Sequence, residues 1–560
     1  MIEFKVVLAW SLLTGVFLGI GNITKVLLWN HKQFGMMDLW LGWGVTIVFL
    51  QIWHLMVPVD WRAGVVITSF GLAGLCYGLL RCELISQINK VPWYLAVGGM
   101  IAFWLALHST NQPGNCDSGL YHLNSVRWAK EYAIVPGLGN LHARLAFNQS
   151  YFLYVTLLDV GDFAHKSHQL ASGLLVLWLL LRGVNAIRVA AQEKRRLQGW
   201  VIYDLVMIVP VLIYAINSGN ISSPSPDLAI FMLGNVMASE LIRILSARAS
   251  VNWHQDEGMW IMMLLACIGI TVKLSYIGVA FSICAVLLYN SWKVDGWNSA
   301  TRLGVGMITI GVIVILPWMI RGVILSGYPV YPVAIGRVAV DWCVPRENIN
   351  RSYELVRMWA MALGDTIPGE CVGTMRGYWL WLMAVMRNKE NVVVPIAMAL
   401  AGMICSFCFR SLKSEKYQKG FDKLYFAVPC FGLAYWFFTA PDPRFGGAIF
   451  WMLGAGAVTC TLVQIPRKYA IIYLVFMSCL LLFHEIDPVG FVKPWKKDSG
   501  PARRVVVVER RTDSGMKVFV APESECGRTW DSDLPSTPFF NPKVEQRVSD
   551  SMNRGFRMAQ

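Results

Sequence analysis

The residues that could do chemistry in this chain lie in polar breaks between long apolar runs. The fullest break runs from Asn111 to Lys166. It reads Asn-Gln-Pro-Gly-Asn-Cys-Asp-Ser-Gly-Leu-Tyr-His, then Arg127, then Pro136-Gly-Leu-Gly-Asn-Leu-His-Ala-Arg144 and Phe147-Asn-Gln-Ser. A loop of about fifty residues that is neither apolar nor disordered in composition is usually functional. Asp117 follows a Pro-Gly turn and precedes Gly119, which frees the backbone. It heads an amphipathic pattern in which Leu120, Leu123 and Val126 alternate with Arg127 and Lys130. A carboxylate at the exit of an apolar run, ahead of a surface-lying helix, suits a general base whose substrate arrives through a bilayer.

Four more ionisable residues stand at the ends of apolar runs. Asp227 closes Ser222-Ser-Pro-Ser-Pro-Asp and is placed to cap the following helix. Lys273 is nearly embedded in Val272-Lys-Leu-Ser. Arg321 ends a span and leads into Ser326-Gly-Tyr-Pro-Val-Tyr-Pro332. Arg444 lies in Ala440-Pro-Asp-Pro-Arg-Phe445. Charges near membrane depth are costly and are functional candidates by default. Lys273, Arg321 and Arg444 offer cations to a phosphate, arginine with a bidentate fork. His122, His142, Arg144, Tyr328 and Tyr331 could contact a substrate. Each also has a plainer role: Asp227 as a cap, Lys273 snorkelling, Arg444 paired with Asp442, the histidines structural. Tyr121, Trp128 and Tyr132 would anchor the loop at the membrane surface.

The elements that must position these residues are membrane helices. The 560 residues are 56% hydrophobic and 15% charged, against about a quarter charged in soluble domains. Apolar runs predict an all-α polytopic membrane protein with about fourteen transmembrane helices of roughly twenty residues. They fall near 5–22, 38–57, 63–81, 93–109, 167–185, 200–216, 227–246, 257–272, 275–290, 303–320, 392–409, 422–440, 445–464 and 468–484. The first, Val6 to Ile20, lacks a small-residue cleavage site and reads as a retained span. Three regions follow: N-terminal transmembrane helices over 1–92, a core over 93–485 with long loops at 111–166 and 321–391, and a polar tail over 486–560. The tail carries a strand-pair signal, Arg504-Val-Val-Val-Val-Glu, a turn at Asp513-Ser-Gly and Met516-Lys-Val-Phe-Val, which predicts a small β appendage.

Basic residues sort by side. Arg188, Lys194 to Arg196, Arg243, Arg248, Arg410 to Lys423 and Arg467-Lys468 share one face when spans alternate, and the positive-inside rule makes it cytoplasmic. Asp117, Asp227, Lys273, the 321–391 loop, the Pro441–Phe445 turn and the tail share the other. The net charge of +14 needs only these loops and a basic tail. No basic patch is interleaved with exposed aromatics, so nucleic acid is not an expected partner. The 24 tryptophans suit interfacial belts. The 13 cysteines show no metal spacing. Most read as buried hydrophobes, and a disulfide among Cys116, Cys343, Cys371 and Cys526 is left open.

At these residues the chain resembles the GT-C superfamily of polytopic glycosyltransferases. The matching features are a long extracytoplasmic loop with Asp117 soon after a span, an interfacial helix after it, a second acid at Asp227 on a later outer loop, and a small extracytoplasmic C-terminal portion. The strings around Asp117-Ser-Gly-Leu-Tyr-His, Pro136-Gly-Leu-Gly-Asn, Ser326-Gly-Tyr-Pro and Ala440-Pro-Asp-Pro-Arg-Phe also look like a family of bacterial envelope proteins. Asp117 stands alone where the superfamily often carries a pair of acids.

The resemblance implies a GT-C-like fold in the bacterial inner membrane, with the site facing the periplasm or exterior. It implies transfer of a sugar from a polyprenyl-phosphate donor to an envelope glycan or lipid-linked acceptor, with membrane lipid as surroundings. Asp117 would deprotonate the acceptor, Asp227 would orient the acceptor or a cation, and Lys273, Arg321 and Arg444 would hold the leaving phosphate. The sequence requires no divalent metal and leaves one open. Two rivals stand beside this reading. One is a surface-polysaccharide polymerase or ligase acting on a diphosphate-linked lipid, with the arginines dominant. The other is a lipid or solute transporter, against which stand the lack of paired Gly/Pro-broken spans and polar residues clustered at one face.

Overall fold

The computed structural model describes residues 2–30, 34–81, 92–217, 219–247, 257–362, 373–408, 420–485 and 503–559. Four helices precede the first long loop: α1 (Ile2–Trp29), α2 (Met37–Trp53), α3 (Trp61–Arg81) and α4 (Pro92–Ser109). Within that loop lie α5 (Leu123–Glu131) and α6 (Tyr151–Leu157). Then come α7 (His168–Gln192), α8 (Gly199–Ile216), α9 (Pro226–Ser246), α10 (Glu257–Val272), α11 (Ile277–Asp295) and α12 (Trp297–Ser326). The second long loop holds α13 (Arg346–Ala362) and α14 (Met375–Val385), and the chain returns as α15 (Val394–Cys408), α16 (Ala427–Thr439), α17 (Pro443–Leu462) and α18 (Arg467–Glu485). Each expected span coincides with one of these helices outside the two loops. Among the described residues, nine helices are long and apolar enough to cross a membrane, and α2, α4 and α10 are shorter apolar helices.

The helices alternate between two ends of the bundle, and hydrogen bonds fix which loops meet. At one end the Arg467 amide donates to the Arg195 carbonyl at 2.9 Å, Arg196 donates to the Gln464 carbonyl, and Ser246 Oγ donates to the Gly420 carbonyl at 3.0 Å. The basic loops therefore gather as expected. Arg248 and Arg410 to Lys419 lie outside the described residues. The other end gathers the first long loop, the 219–226 turn, Lys273 and the Pro441–Phe445 turn.

Close helix crossings rest on small residues. A side chain on Gly19 of α1 would collide with the backbone of Gly71 on α3, as glycine-lined crossings between apolar helices require. Aromatic rings fill the centre. Phe17 and Trp40 meet Trp178 edge-on at 5.5 and 5.8 Å, and Trp43 meets Tyr154 at 6.0 Å. The expectation of interfacial tryptophan belts is therefore corrected for five of these residues. Trp10, Trp40, Trp43, Trp178 and Trp451 are fully buried, whereas Trp61, Trp93 and Trp297 are exposed near helix starts.

Charge is also buried away from the loops. Arg182 Nε donates to Asp204 at 2.8 Å and Arg182 Nη2 to Ser239 Oγ at 2.8 Å, with Glu240 3.7 Å away. Lys25 pairs with Asp38 at 2.8 Å. These charges correct the expectation that polar residues cluster at one face only.

The tail forms two small sheets. β1 (Val508–Arg511) pairs antiparallel with β2 (Lys517–Val520), Val508 opposite Val520, and β3 (Ser536–Thr537) runs parallel to β2. β4 (Val544–Gln546) pairs antiparallel with β5 (Phe556–Met558). The first strand starts only at Val508, the last residue of the valine run, and the turn holds Gly515 at φ 84°. The tail packs on the first loop. Asn124 Nδ2 donates to Thr529 Oγ1 and Ser536 Oγ at 2.9 and 2.8 Å, and Arg127 pairs with Asp533 at 2.7 Å. α5 is thus sandwiched between bundle and tail, and is no free surface helix. Tyr121 and Trp128 are buried against Phe147, Phe152 and Phe556, which corrects their reading as membrane anchors. Gly119 has no positive φ; a side chain there would strike the Trp530 ring, whose amide donates to the Gly119 carbonyl. Cys116, Cys343 and Cys526 are free thiols, and Cys371 lies outside the described residues.

Candidate functional site

The candidate site starts from how its loop is tied down. Asn115 accepts the Asp117 amide on its own side-chain oxygen at 2.9 Å, a local Asx turn. The Asn115 amide donates to Ser223 Oγ, and its side-chain nitrogen donates to Asn220 Oδ1, both at 3.0 Å. These bonds hold the first loop against the turn that starts α9. The π-helical turn Ser118–His122 then leads into α5, and irregular turns of this kind are frequent at functional sites.

Four segments meet at Asp117. Its two oxygens accept from Arg144 Nη1 at 3.2 Å and Arg444 Nη1 at 3.0 Å. Lys273 Nζ donates to Asp227, whose second oxygen lies 3.9 Å from Arg444 Nε. Arg444 is placed by the start of α17, where Asp442 is the N-cap and accepts the Arg444 amide at 2.8 Å. The Asp442 carboxylate is 3.9 Å from Arg444 Nε, so the expected local pair is the weaker partner. Phe445 lies under both cations, 4.0 Å from Lys273 Nζ and 5.1 Å from the Arg444 guanidinium carbon. Asp227 is not the cap of α9: Ser225 takes that place, Pro226 and Asp227 follow inside the first turn, and the carboxylate is spent on Lys273.

The cluster is balanced. Asp117, Asp227 and Asp442 face Arg144, Lys273 and Arg444. Burial raises the Asp117 pKa, but Arg444, then His122, Arg144 and Lys273, outweigh it and hold the carboxyl below its ordinary value. Burial lowers the Lys273 pKa, with Asp227 opposing. His122 is buried and lowered to about 4, by burial first and against Asp117. Among the described residues no group of three or more His, Cys, Asp and Glu could hold a metal ion.

Arg321 does not join this cluster. α12 carries it to a separate cleft, where Nη1 donates to His54 Nδ1 at 2.6 Å and Nε donates to Asn148 Oδ1 at 3.1 Å. Arg144 lines the same cleft, so one side chain borders both places. His142 is buried beside Phe539 of the tail, 6.2 Å between rings, and burial lowers it to about 3. Tyr331 donates to Ser352 Oγ at 2.9 Å and packs on Phe147 at 6.1 Å. Tyr328 is buried just after the α12 C-terminus. These three lie outside the acid cluster. Sequence reasoning missed His54, Asn148, Trp128 and Gln149 as cleft residues. It also missed Arg182 and Asp204, whose signal, a charge inside an apolar run, was present.

The fold and cluster define a mostly helical protein with membrane-length helices and a charge-balanced ionic centre at one end of the bundle. The chain belongs to the family described as a domain of unknown function (DUF8201), matched over residues 4–451. That stretch contains Asp117, Asp227, Lys273, Arg321 and Arg444 and ends before the tail. No curated protein and no solved structure matches the chain.

Proposed function

We propose that this chain is a membrane-embedded glycosyltransferase of the GT-C type in the bacterial inner membrane. It has about fourteen membrane-crossing helices, and its Asp117 end faces the periplasm or exterior. It transfers a sugar from a polyprenyl-phosphate donor to an envelope glycan or lipid-linked acceptor. The observation that carries this reading is the Asp117 carboxylate, bridged by Arg144 and Arg444 beside Asp227 and Lys273. A carboxylate that meets two arginines offers a base and phosphate-binding cations within one side chain's reach.

Held by both guanidiniums, Asp117 is a weak base, because its pKa lies below the ordinary range. A donor phosphate competes for the same arginines. Drawing one of them away raises the Asp117 pKa and readies it to take the acceptor proton as the leaving phosphate is neutralised. Asp227 fixes Lys273, and Phe445 backs both cations.

The same low pKa favours the second reading, a polymerase or ligase on a diphosphate-linked lipid in which the arginines act and Asp117 only positions them. Reconstituted full-length protein supplied with a radiolabelled polyprenyl-phosphate sugar separates the two. Release of free polyprenyl phosphate with labelled acceptor supports the first; turnover only with a diphosphate-linked lipid supports the second.

A further inference from the structure

Arg321 is a buried cation whose neighbours are arranged to leave its charge in force. Its side chain is 5% exposed. Its two partners are neutral. His54 Nε2 faces the Tyr132 carbonyl at 3.1 Å, which can only accept, so Nε2 carries the proton and Nδ1 accepts from Arg321. Arginine can only donate, so Nδ1 must accept and the imidazole is neutral. Asn148 contributes an amide oxygen. Among the described residues no carboxylate pairs with Arg321, whereas the Arg144, Lys273 and Arg444 charges are each met by an acid.

The shelf under Arg321 is built. Asn148 adopts φ 54°, a conformation asparagine tolerates better than most residues. Its side chain donates to the Trp318 carbonyl at 2.6 Å, and its own carbonyl accepts from Trp318 Nε1 at 2.7 Å. The Gly137 amide donates to the Ile324 carbonyl at 2.8 Å, which ties the same loop to the last turns of α12. Guanidinium, imidazole and amide are therefore fixed relative to one another.

A small cleft, partly open to solvent, lies against this shelf, with His54, Trp128, Arg144, Asn148, Gln149 and Arg321 in its wall. Trp128 is 3% exposed, and its indole N–H has no hydrogen-bond partner. A buried donor left unpaired costs roughly 1–3 kcal/mol, and it matches an acceptor arriving in the cleft. Arg144 reaches the wall while its Nη1 donates to Asp117.

We propose that this cleft is a binding site for a phosphate monoester or diester group. Arg321 supplies the uncompensated charge, the Trp128 indole donates to a phosphate oxygen, and Arg144 turns from Asp117 to the anion. The Asp117 cluster is balanced and has no surplus cation, so Arg321 supplies the charge that Arg144 and Arg444 lack while they hold Asp117. The proposal deepens the transferase reading by placing its phosphate, and the binding site itself does not need transfer to occur.

Binding to the full-length protein in detergent tests it, by native mass spectrometry and calorimetry. The probes are dodecyl phosphate, inorganic phosphate and dodecanol. The variants are R321K, W128F, D117N and, as a remote charge control, R547Q. Dodecyl phosphate is expected to bind the parent. R321K, which loses the fork, and W128F, which loses the N–H together with part of the ring, should each weaken it roughly tenfold or more. R547Q should leave it unchanged, and D117N should bind as tightly or tighter because Arg144 is released. A thermal melt excludes misfolded R321K, and W128F keeps the question decidable if R321K fails to fold. Binding of inorganic phosphate with the same variant pattern assigns the site to the phosphate group alone. Dodecyl phosphate binding without it assigns the site to a lipid headgroup. Equal dodecyl phosphate affinity in the parent, R321K and W128F overturns the proposal, as does equal binding of dodecanol. Binding that follows this pattern in a protein that transfers no sugar removes the transferase reading alone. Transfer that survives with no binding in this cleft removes the site alone.

Discussion

Asp117→Asn separates a catalytic carboxylate from one that only holds two arginines together. Asparagine keeps the shape and an accepting oxygen and removes the charge. The structural cost can be bounded from the geometry. Stripping one partner from a buried ion pair costs about 3–5 kcal/mol, whereas an exposed pair is worth about 0–1 kcal/mol. The Asp117, Arg144 and Arg444 side chains are 19%, 27% and 41% exposed, so solvent screens the pair, and a loss of about 1–2 kcal/mol is expected. The catalytic cost is of another order. Losing a general base lowers turnover about 10²–10⁴-fold, roughly 3–5 kcal/mol in the barrier. Donor affinity should be kept or improved, because Arg144 and Arg444 are freed. The assay pairs a thermal melt with initial rates of sugar transfer over a range of donor concentrations. A slightly less stable protein with turnover down at least a hundredfold and an unchanged or lower donor KM supports the base. A variant that melts nearly as the parent and transfers at the parental rate refutes it and leaves the arginine-centred reading ahead.

Other outcomes follow from the same contacts. Asp227→Asn and Lys273→Met should each lower stability by about 3 kcal/mol, since each strands a buried charge, and the double variant should recover much of that loss in a chemical-denaturation cycle while transfer stays impaired; purely additive losses count against the pair. Arg444→Lys keeps the charge and loses the fork across Asp117 and Asp227, so the donor KM should rise several-fold in the transfer assay with the melt little changed. Burial lowers His122 to about 4 and His142 to about 3, so between pH 6.5 and those values the unfolded chain binds more protons than the folded one. Their contribution is therefore intact above about pH 6.5 and lost as pH falls toward 4, and melts across that window should decline, less steeply in His122→Asn. Membrane-impermeant maleimide applied to intact cells should label Cys116 and Cys526 and spare Lys194→Cys; labelling of all three from one side removes the two-ended arrangement.

Much of the bundle was legible because burial in lipid demands long apolar runs, and turn chemistry marks where they stop. The shared end of Asp117, Asp227, Lys273 and Arg444 followed from alternation plus the rule that charge at membrane depth needs a reason. Their pairing did not follow. Sequence shows that cations and acids share a face, but only side-chain reach tells that Arg444 spans Asp117 and Asp227 while Asp442 caps its backbone. The tail's seat on α5 was also hidden, because it rests on polar bonds such as Asn124 to Thr529 across hundreds of residues. Tyr121 and Trp128 then looked like membrane anchors, since an amphipathic stretch has the same pattern whether lipid or protein covers it.

Arg321 shows most clearly how far composition reaches. By type and position it belongs with Lys273 and Arg444, three cations beside one polar face. What distinguishes it is the company each keeps. Lys273 and Arg444 were met by carboxylates from distant segments, which lowers the cost of burying them and also uses up their charge. Arg321 was met by a histidine held neutral and an asparagine held in a left-handed turn, which fixes its geometry and leaves its charge available. Neutral partners around a buried guanidinium are a costly choice for stability alone. An apolar residue of similar volume would be cheaper at this position unless an anion visits the cleft, and Arg321 is therefore the residue whose replacement should separate binding from folding most sharply.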